Sequence, residues 1–528
     1  TGWNSTDAAD PNKNDQLSTM DGRYVPTVRK IPNYETTGIQ GLDQNKTLVF
    51  NDDDTSATPV TPDASRPASF VNASGQPVVG NTVPAMANGQ QVGTYELDPN
   101  TGQVTFKPNK NFYGTPDPVV VQVNDIEGKP HRARYQPKVT QVTPTSTNAE
   151  STGLQGQPQS GKPSFNPGDQ QIPIDMSKAM TFENGKDTLE VANEGTYTIN
   201  ADGSITFKPL KQFTGKATPV TVKRVDANGT EVTATYTPNV TKVTPTSTPA
   251  TSSGPQGVPQ TGTPVFKEGD PAVPIDMTKQ MTFENGTDTL VVADQGTYTI
   301  NSDGSITFKP EKKFTGKATP VKVKRVDTNG TEVTATYTPT VEEVIPNATG
   351  DQTEGPQGLV QNGKIIFEAG RREVGFSAEN PPVFDTGTNV KEIENVGKFE
   401  VDIDGNITFT PVKTFVGKTP EIEISRADVN GTIAKAKYQA TVTAVKPTGI
   451  GNKTEGLQGQ VQEGKVAFTP GHDSVPFPAD STPLFDNGTT VKEVPNVGKF
   501  EVDADGKVTF TPDKQFKGET PELELTRV

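Results

Sequence analysis

Of the 528 residues only 30% are of the apolar types, the formal net charge is −15, and cysteine is absent. The acidic balance argues against a nucleic-acid partner. The lack of cysteine excludes disulfide staples, zinc–thiolate sites and thiol nucleophiles, and no apolar run approaches the roughly 18 residues that a membrane span requires. Thr, Asn, Gly and Pro are abundant, turn signals recur at short spacing, and no 3.6-residue apolar period is sustained. Together these features predict an all-β chain. No export signal is read at Thr1, so any such signal is expected to lie outside these residues or to have been removed.

Residues 1–36 come first. Tyr24-Val25-Pro26-Thr27-Val28 matches Tyr337-Thr338-Pro339-Thr340-Val341, the expected final strand of a later unit. Residues 1–36 are therefore read as the C-terminal tail of a preceding module plus a linker.

A Gly-x-Gln-Gly landmark then begins at Gly38, Gly153, Gly254, Gly355 and Gly456, with periods of 115, 101, 101 and 101 residues. A Phe follows twelve residues after each first Gly, at Phe50, Phe165, Phe266, Phe367 and Phe468. This spacing suggests a loop feeding a first strand whose Phe enters a core. The periodicity divides the chain into repeat modules at 37–143, 150–245, 251–346, 352–447 and 453–528. Module one carries thirteen additional residues between Phe50 and Tyr95. Modules two and three form one similar pair, and modules four and five another. Module five stops at Val528 short of its final strand, which is expected to be a truncation. The alternative is completion by the Tyr24 strand of a second chain.

Within each module the most regular stretch is Gly195–Gly215, repeated from Gly296, Gly397 and Gly498 and more loosely from Gly93. It reads as a β-hairpin. A two-residue Asp202-Gly203 turn would set Ile199 against Thr206 and split the apolar face. A three-residue loop, Ala201-Asp202-Gly203, sets Tyr197 opposite Phe207 and Ile199 opposite Ile205. In module one the loop gains a residue, 99–102, yet Tyr95 still faces Phe106 and Leu97 still faces Val104. A second hairpin spans Val220–Tyr236 around Asp226-Ala227-Asn228-Gly229, with Val220, Val222, Val232, Ala234 and Tyr236 in phase. The Thr/Pro/Ser-rich segments between modules, such as 244–250, are read as extended, semi-stiff connectors. Core candidates in module two are Phe165, Phe182, Tyr197, Phe207, Phe213 and Tyr236. The fold expected is a tandem array of Ig-like β-sandwich modules of about 100 residues each, beads on a string.

No catalytic constellation is present. His131 and His472 are the only histidines and occupy non-equivalent positions, so each reads as a surface or strand residue. No nucleophile elbow, His-Glu-x-x-His or Walker pattern appears. Calcium between modules would need clustered carboxylates, and each connector supplies at most one or two acids, so no metal and no cofactor is expected. One charge has an unusual phase: Arg224 lies two residues after the inward Val222, with counterparts at Arg325, Arg426 and Arg527. Module one has Val123 there and also lacks the acid of Phe182-Glu183, its nearest match being Met86-Ala87-Asn88-Gly89. Arg224 is therefore expected to pair with Glu183, since burying one partner alone would cost about 3–5 kcal/mol. The alternative is an edge-strand Arg reaching to water.

The Gly-x-Gln-Gly landmark, the Asp-Gly-x-Ile-Thr-Phe-x-Pro hairpin, the Phe-x-Gly step and the Lys-Arg-Val-Asp-x-Asn-Gly-Thr turn resemble the CshA-type fibril repeats of streptococcal cell-wall-anchored adhesins. The resemblance covers nearly all of the chain after residue 36 and implies an extracellular, wall-anchored fibril of a Gram-positive cell. The repeats would be the structural stalk projecting an adhesive N-terminal region. Host matrix or salivary glycoproteins would then bind through regions mostly outside this chain, and peptidoglycan anchorage would also lie outside it. The alternative is an array that itself binds host glycoproteins or partner bacteria multivalently. An enzyme would need a unique carboxylate pair in one module, and the duplicated sequence shows none. A Lys–Asn or Lys–Asp crosslink, known in comparable surface proteins, is not placed by the sequence.

Overall fold

The computed structural model describes residues 24, 26, 28, 30–52 and 58–528. The stretch Tyr24-Val25-Pro26-Thr27-Val28 lies outside the described residues, because Val25 and Thr27 do. The chain divides into two compact units. The first comprises 1–244 with 270–273 and 329–331; the second comprises 245–269, 274–328 and 332–528. All regular elements among the described residues are β-strands.

In the first unit, module two shows how the sandwich is built. One sheet orders the strands Ala149–Leu154, Glu231–Thr241, Val220–Val225 and Thr181–Phe182, with Gly215–Lys216 also pairing to Glu231–Thr241. The facing sheet orders Gln159–Gly161, Ile205–Pro209, Gly195–Ile199 and Thr188–Val191. The hairpin register follows the alternation of its side chains: Tyr197 pairs with Phe207 and Ile199 with Ile205. Gly203 takes φ 83°, the left-handed residue that closes a three-residue loop. In module one Tyr95 pairs with Phe106 and Leu97 with Val104 across the four-residue loop. The extra residue is absorbed in the turn because shifting the strands instead would turn every apolar side chain outward.

The core lies between the sheets. Phe182, Tyr197, Phe207 and Tyr236 are fully buried there, and Phe165 and Phe213 pack against the cluster half-buried. Tyr197 stacks on Phe207 with centroids 4.5 Å apart and meets Tyr236 edge-on at 6.0 Å, geometries that suit the ring quadrupoles. Module one has its own cluster around Phe70, Tyr95, Phe106 and Tyr135. In the second unit the clusters of modules three and four repeat this arrangement around Tyr298 and Phe399, and module five has a smaller one around Phe500 and Phe510.

Three details differ from the sequence reading. The Gly-x-Gln-Gly landmark does not precede the first strand but ends it: Gly153 lies in Ala149–Leu154, which runs parallel to Glu231–Thr241. Part of each supposed connector is strand. Thr246–Thr248 pairs with Val265–Lys267, because its alternating small polar residues serve an exposed two-stranded ribbon. The counterpart of Phe182 in module one is Phe70, which pairs with Val121 as Phe182 pairs with Val222. Phe70 lies within the long, divergent stretch between Phe50 and Tyr95, so spacing pointed instead to Met86, which sits in the strand Thr82–Ala87.

Candidate functional site

Among the described residues no group of three or more His, Asp or Glu side chains could hold a metal ion, and no helix is long and apolar enough to cross a membrane. What recurs instead is a set of buried polar contacts. The first closes the sandwiches of modules one to four. In module two Ser151 Oγ donates to Gln159 Oε1 at 2.6 Å and lies 2.6 Å from the Tyr236 hydroxyl, while Gln159 Nε2 donates to Asn239 O at 3.2 Å. Thr36, Gln44 and Tyr135 repeat the arrangement in module one. In the second unit Ser252, Gln260 and Tyr337 do so, as do Thr353, Gln361 and Tyr438. The hydroxyl residue stands two before, and the Gln six after, the first Gly of the landmark, so the fixed offsets could have revealed this clamp.

The second set surrounds the landmark Gln. Gln40, 4% exposed, donates from Nε2 to Lys110 O at 2.8 Å, and its Oε1 accepts from Val142 N at 3.1 Å. Its backbone N–H donates to Thr140 O. One side chain thus ties the Phe112 loop to the segment leaving the last strand. The same bonds recur at Gln155, to Lys211 O and from Val243 N, and at Gln256, to Lys312 O and from Val344 N.

The third set joins modules. The turn after Val225 is shaped by Asp226, whose Oδ1 accepts from Asn228 N at 2.9 Å and Thr230 N at 2.8 Å, a local Asx arrangement. This aims the Asn228 carboxamide at the loop of module one, where Nδ2 donates to Gln40 O at 3.0 Å. Gly41 has φ 87°, and a Cβ there would lie 1.9 Å from Asn228 Oδ1, so close approach as well as conformation demands glycine. Also within the first unit, Asn329 Nδ2 donates to Gln155 O at 2.9 Å. In the second unit Asn430 Nδ2 donates to Gln256 O at 2.8 Å, against Gly257.

The structure does not bring Arg224 and Glu183 together. Arg224 Nη1 donates to Lys178 O at 3.3 Å, and Glu183 is exposed. The cause is the pairing register. Phe182, opposite Val222, is the last residue of its strand, so Glu183 enters the turn beyond it and away from Arg224, which lies two residues after Val222 on the antiparallel neighbour. In module three the equivalent Glu284 is 3.9 Å from Lys322, a cross-strand neighbour. In module four Arg426 donates to Asn380 O, Ser377 O and Ile403 O and lies over the Phe376 ring. His131 is a buried strand residue whose Nε2 lies 3.0 Å from Asp125 Oδ2. Its bond is the main cause that holds the Asp125 carboxyl below the usual carboxylate range.

Sandwiches of one kind, repeated and joined by one recurring contact, define a tandem-repeat protein of Ig-like type. The family described as the surface adhesin CshA repetitive domain matches residues 26–139, 141–240, 242–341, 343–442 and 444–528, and the chain belongs to that family. It is thus a repeat region of a surface adhesin, with the extracellular surface location that this implies. Among curated proteins no match is found. Among solved structures, the protocadherin gamma B4 extracellular domain is similar at 8% identity over 94% of this chain and 80% of that one, with a TM-score of 0.29. The human desmocollin-1 ectodomain is similar at 11% identity, over 96% and 98%, with a TM-score of 0.21. The eight N-terminal Ig domains of the Down syndrome cell adhesion molecule are similar at 11% identity, over 93% and 64%, with a TM-score of 0.17.

Proposed function

We propose that this array is the non-catalytic structural stalk of a wall-anchored bacterial fibril, which carries an adhesive region away from the cell for attachment to host cells or matrix. The observation that carries the reading is where the large side chains are used. The aromatics of module two are spent on one closed core, and of its large apolar side chains only Met176 and Leu210 are exposed, too few for a contiguous apolar patch. A repeated binding array would need such a patch on every module. Host matrix or salivary glycoproteins would meet the adhesive region, and peptidoglycan attachment would be made elsewhere in the parent protein.

The test is surface binding of the full chain to immobilised fibronectin and to salivary mucin. No saturable binding by the chain, with binding by the parent protein under the same conditions, is the expected result. Saturable micromolar binding by the chain itself would overturn the stalk reading and make the array adhesive in its own right.

A further inference from the structure

Each module with an Asp-x-Asn-Gly turn touches its predecessor at the one residue that holds the predecessor's end together. Gln40 fastens three segments of module one through its side chain and backbone N–H, and its remaining carbonyl accepts from Asn228 of module two. We infer that this turn and the Gly-x-Gln-Gly loop form a directional lock, in which each module protects the end of the module before it. The inference deepens the stalk reading and rests on it for its purpose, which is to keep the joined end of each module closed under load.

Four observations carry it. Asn228 is 9% exposed and is aimed before it docks, because Asp226 Oδ1 holds its own backbone N–H. The fit is steric as well as polar, since only a residue without Cβ leaves room at Gly41 for the Asn228 amide. The second unit repeats every part: Asp428 Oδ1 holds Asn430 N, Asn430 docks on Gln256 O, and Gln256 in turn holds Lys312 O and Val344 N. Module one itself has Glu127 where later turns have Asn, so it offers no such carboxamide. A buried carbonyl that loses its donor is left without a partner, which is costly.

The test uses the full chain with Asn228→Asp. Aspartate can keep the turn but replaces the donor with a charged acceptor facing Gln40 O. Amide hydrogen exchange is read at Gln40 and Val142 in module one and at Tyr197 and Phe207 in module two. Protection at Gln40 and Val142 is expected to fall about tenfold or more, with Tyr197 and Phe207 unchanged. Gly41→Ala should lower it too, and by more than Gly358→Ala lowers it in its own loop. Gly358 has a similar φ of 84° but nothing within 4 Å of its Cβ position. Loss confined to 226–230, or equal effects of the two Gly variants, would overturn the lock. Binding of the chain to fibronectin would remove the stalk reading and leave this result standing.

Discussion

In module one the Tyr95 hydroxyl donates to Asp117 O at 2.8 Å. In module two the Tyr197 hydroxyl, at the same place in the hairpin, is buried with no hydrogen-bond partner among the described residues. Burial pushes both phenols well above their ordinary range. The turns differ in the same manner. Asp125 Oδ2 meets His131 in module one, whereas Asp226 Oδ2 is buried without a partner in module two, where Val232 takes the histidine's place. The apolar frame is common to both modules, while the polar groups at its margins are settled separately. A repeat of this kind therefore varies least where side chains interdigitate and most where a single hydrogen bond ends.

That comparison can be broken most forcefully through the frame. Phe207→Ala should cost module two about 3–5 kcal/mol and strip exchange protection from its hairpin, while Gln90–Asp98 and Gln103–Pro108 of module one keep theirs. Equal loss in both hairpins would show that the two modules unfold as one.

A smaller effect separates the two tyrosines. Tyr95→Phe should cost about 1–2 kcal/mol, since Asp117 O loses its donor. Tyr197→Phe should be neutral or slightly stabilising, because Phe399 already fills that position in module four, stacked 4.5 Å from Phe409. Denaturant midpoints followed by exchange in each module would measure both, and equal costs would contradict the difference seen here.

The smallest effect is a matter of pH. Asp125 is held below its ordinary range, first by the His131 bond. Its contribution to stability is therefore present above the unfolded carboxylate pKa of about 3.9 and disappears as pH falls through the lower folded value. His131→Val, which imitates module two, should flatten the acid-side loss of protection in module one. An unchanged acid slope would show that the histidine does not hold the carboxyl down.

Much of the sandwich was legible because alternation is a strict rule. Parity alone set Tyr197 against Phe207, but it could not place Glu183, which lies in the turn beyond the short strand that ends at Phe182. The joint was not legible for a different reason. Asn228 is explained locally as a turn former, and nothing in its neighbourhood announces a partner 188 positions earlier in the chain. Likewise the last Gly of Gly-x-Gln-Gly reads as a loop residue, although its lack of a side chain is also required by the neighbouring module. Periodicity shows which residues recur; it does not show which copy each one touches.

The parallel pairing of first and last strands has a mechanical consequence. In module two six register pairs run from Ala149–Tyr236 to Leu154–Thr241. Tension along the chain draws Ala149 backward and Thr241 forward, so the two strands are pushed past each other lengthwise. The ladder then bears the load in shear, with its bonds strained together, whereas a hairpin pulled open at its ends surrenders them one by one. Survival under such a pull is set by the rate of rupture rather than by equilibrium stability. Strand direction alone, independent of any particular side chain, makes each complete module a resistive link.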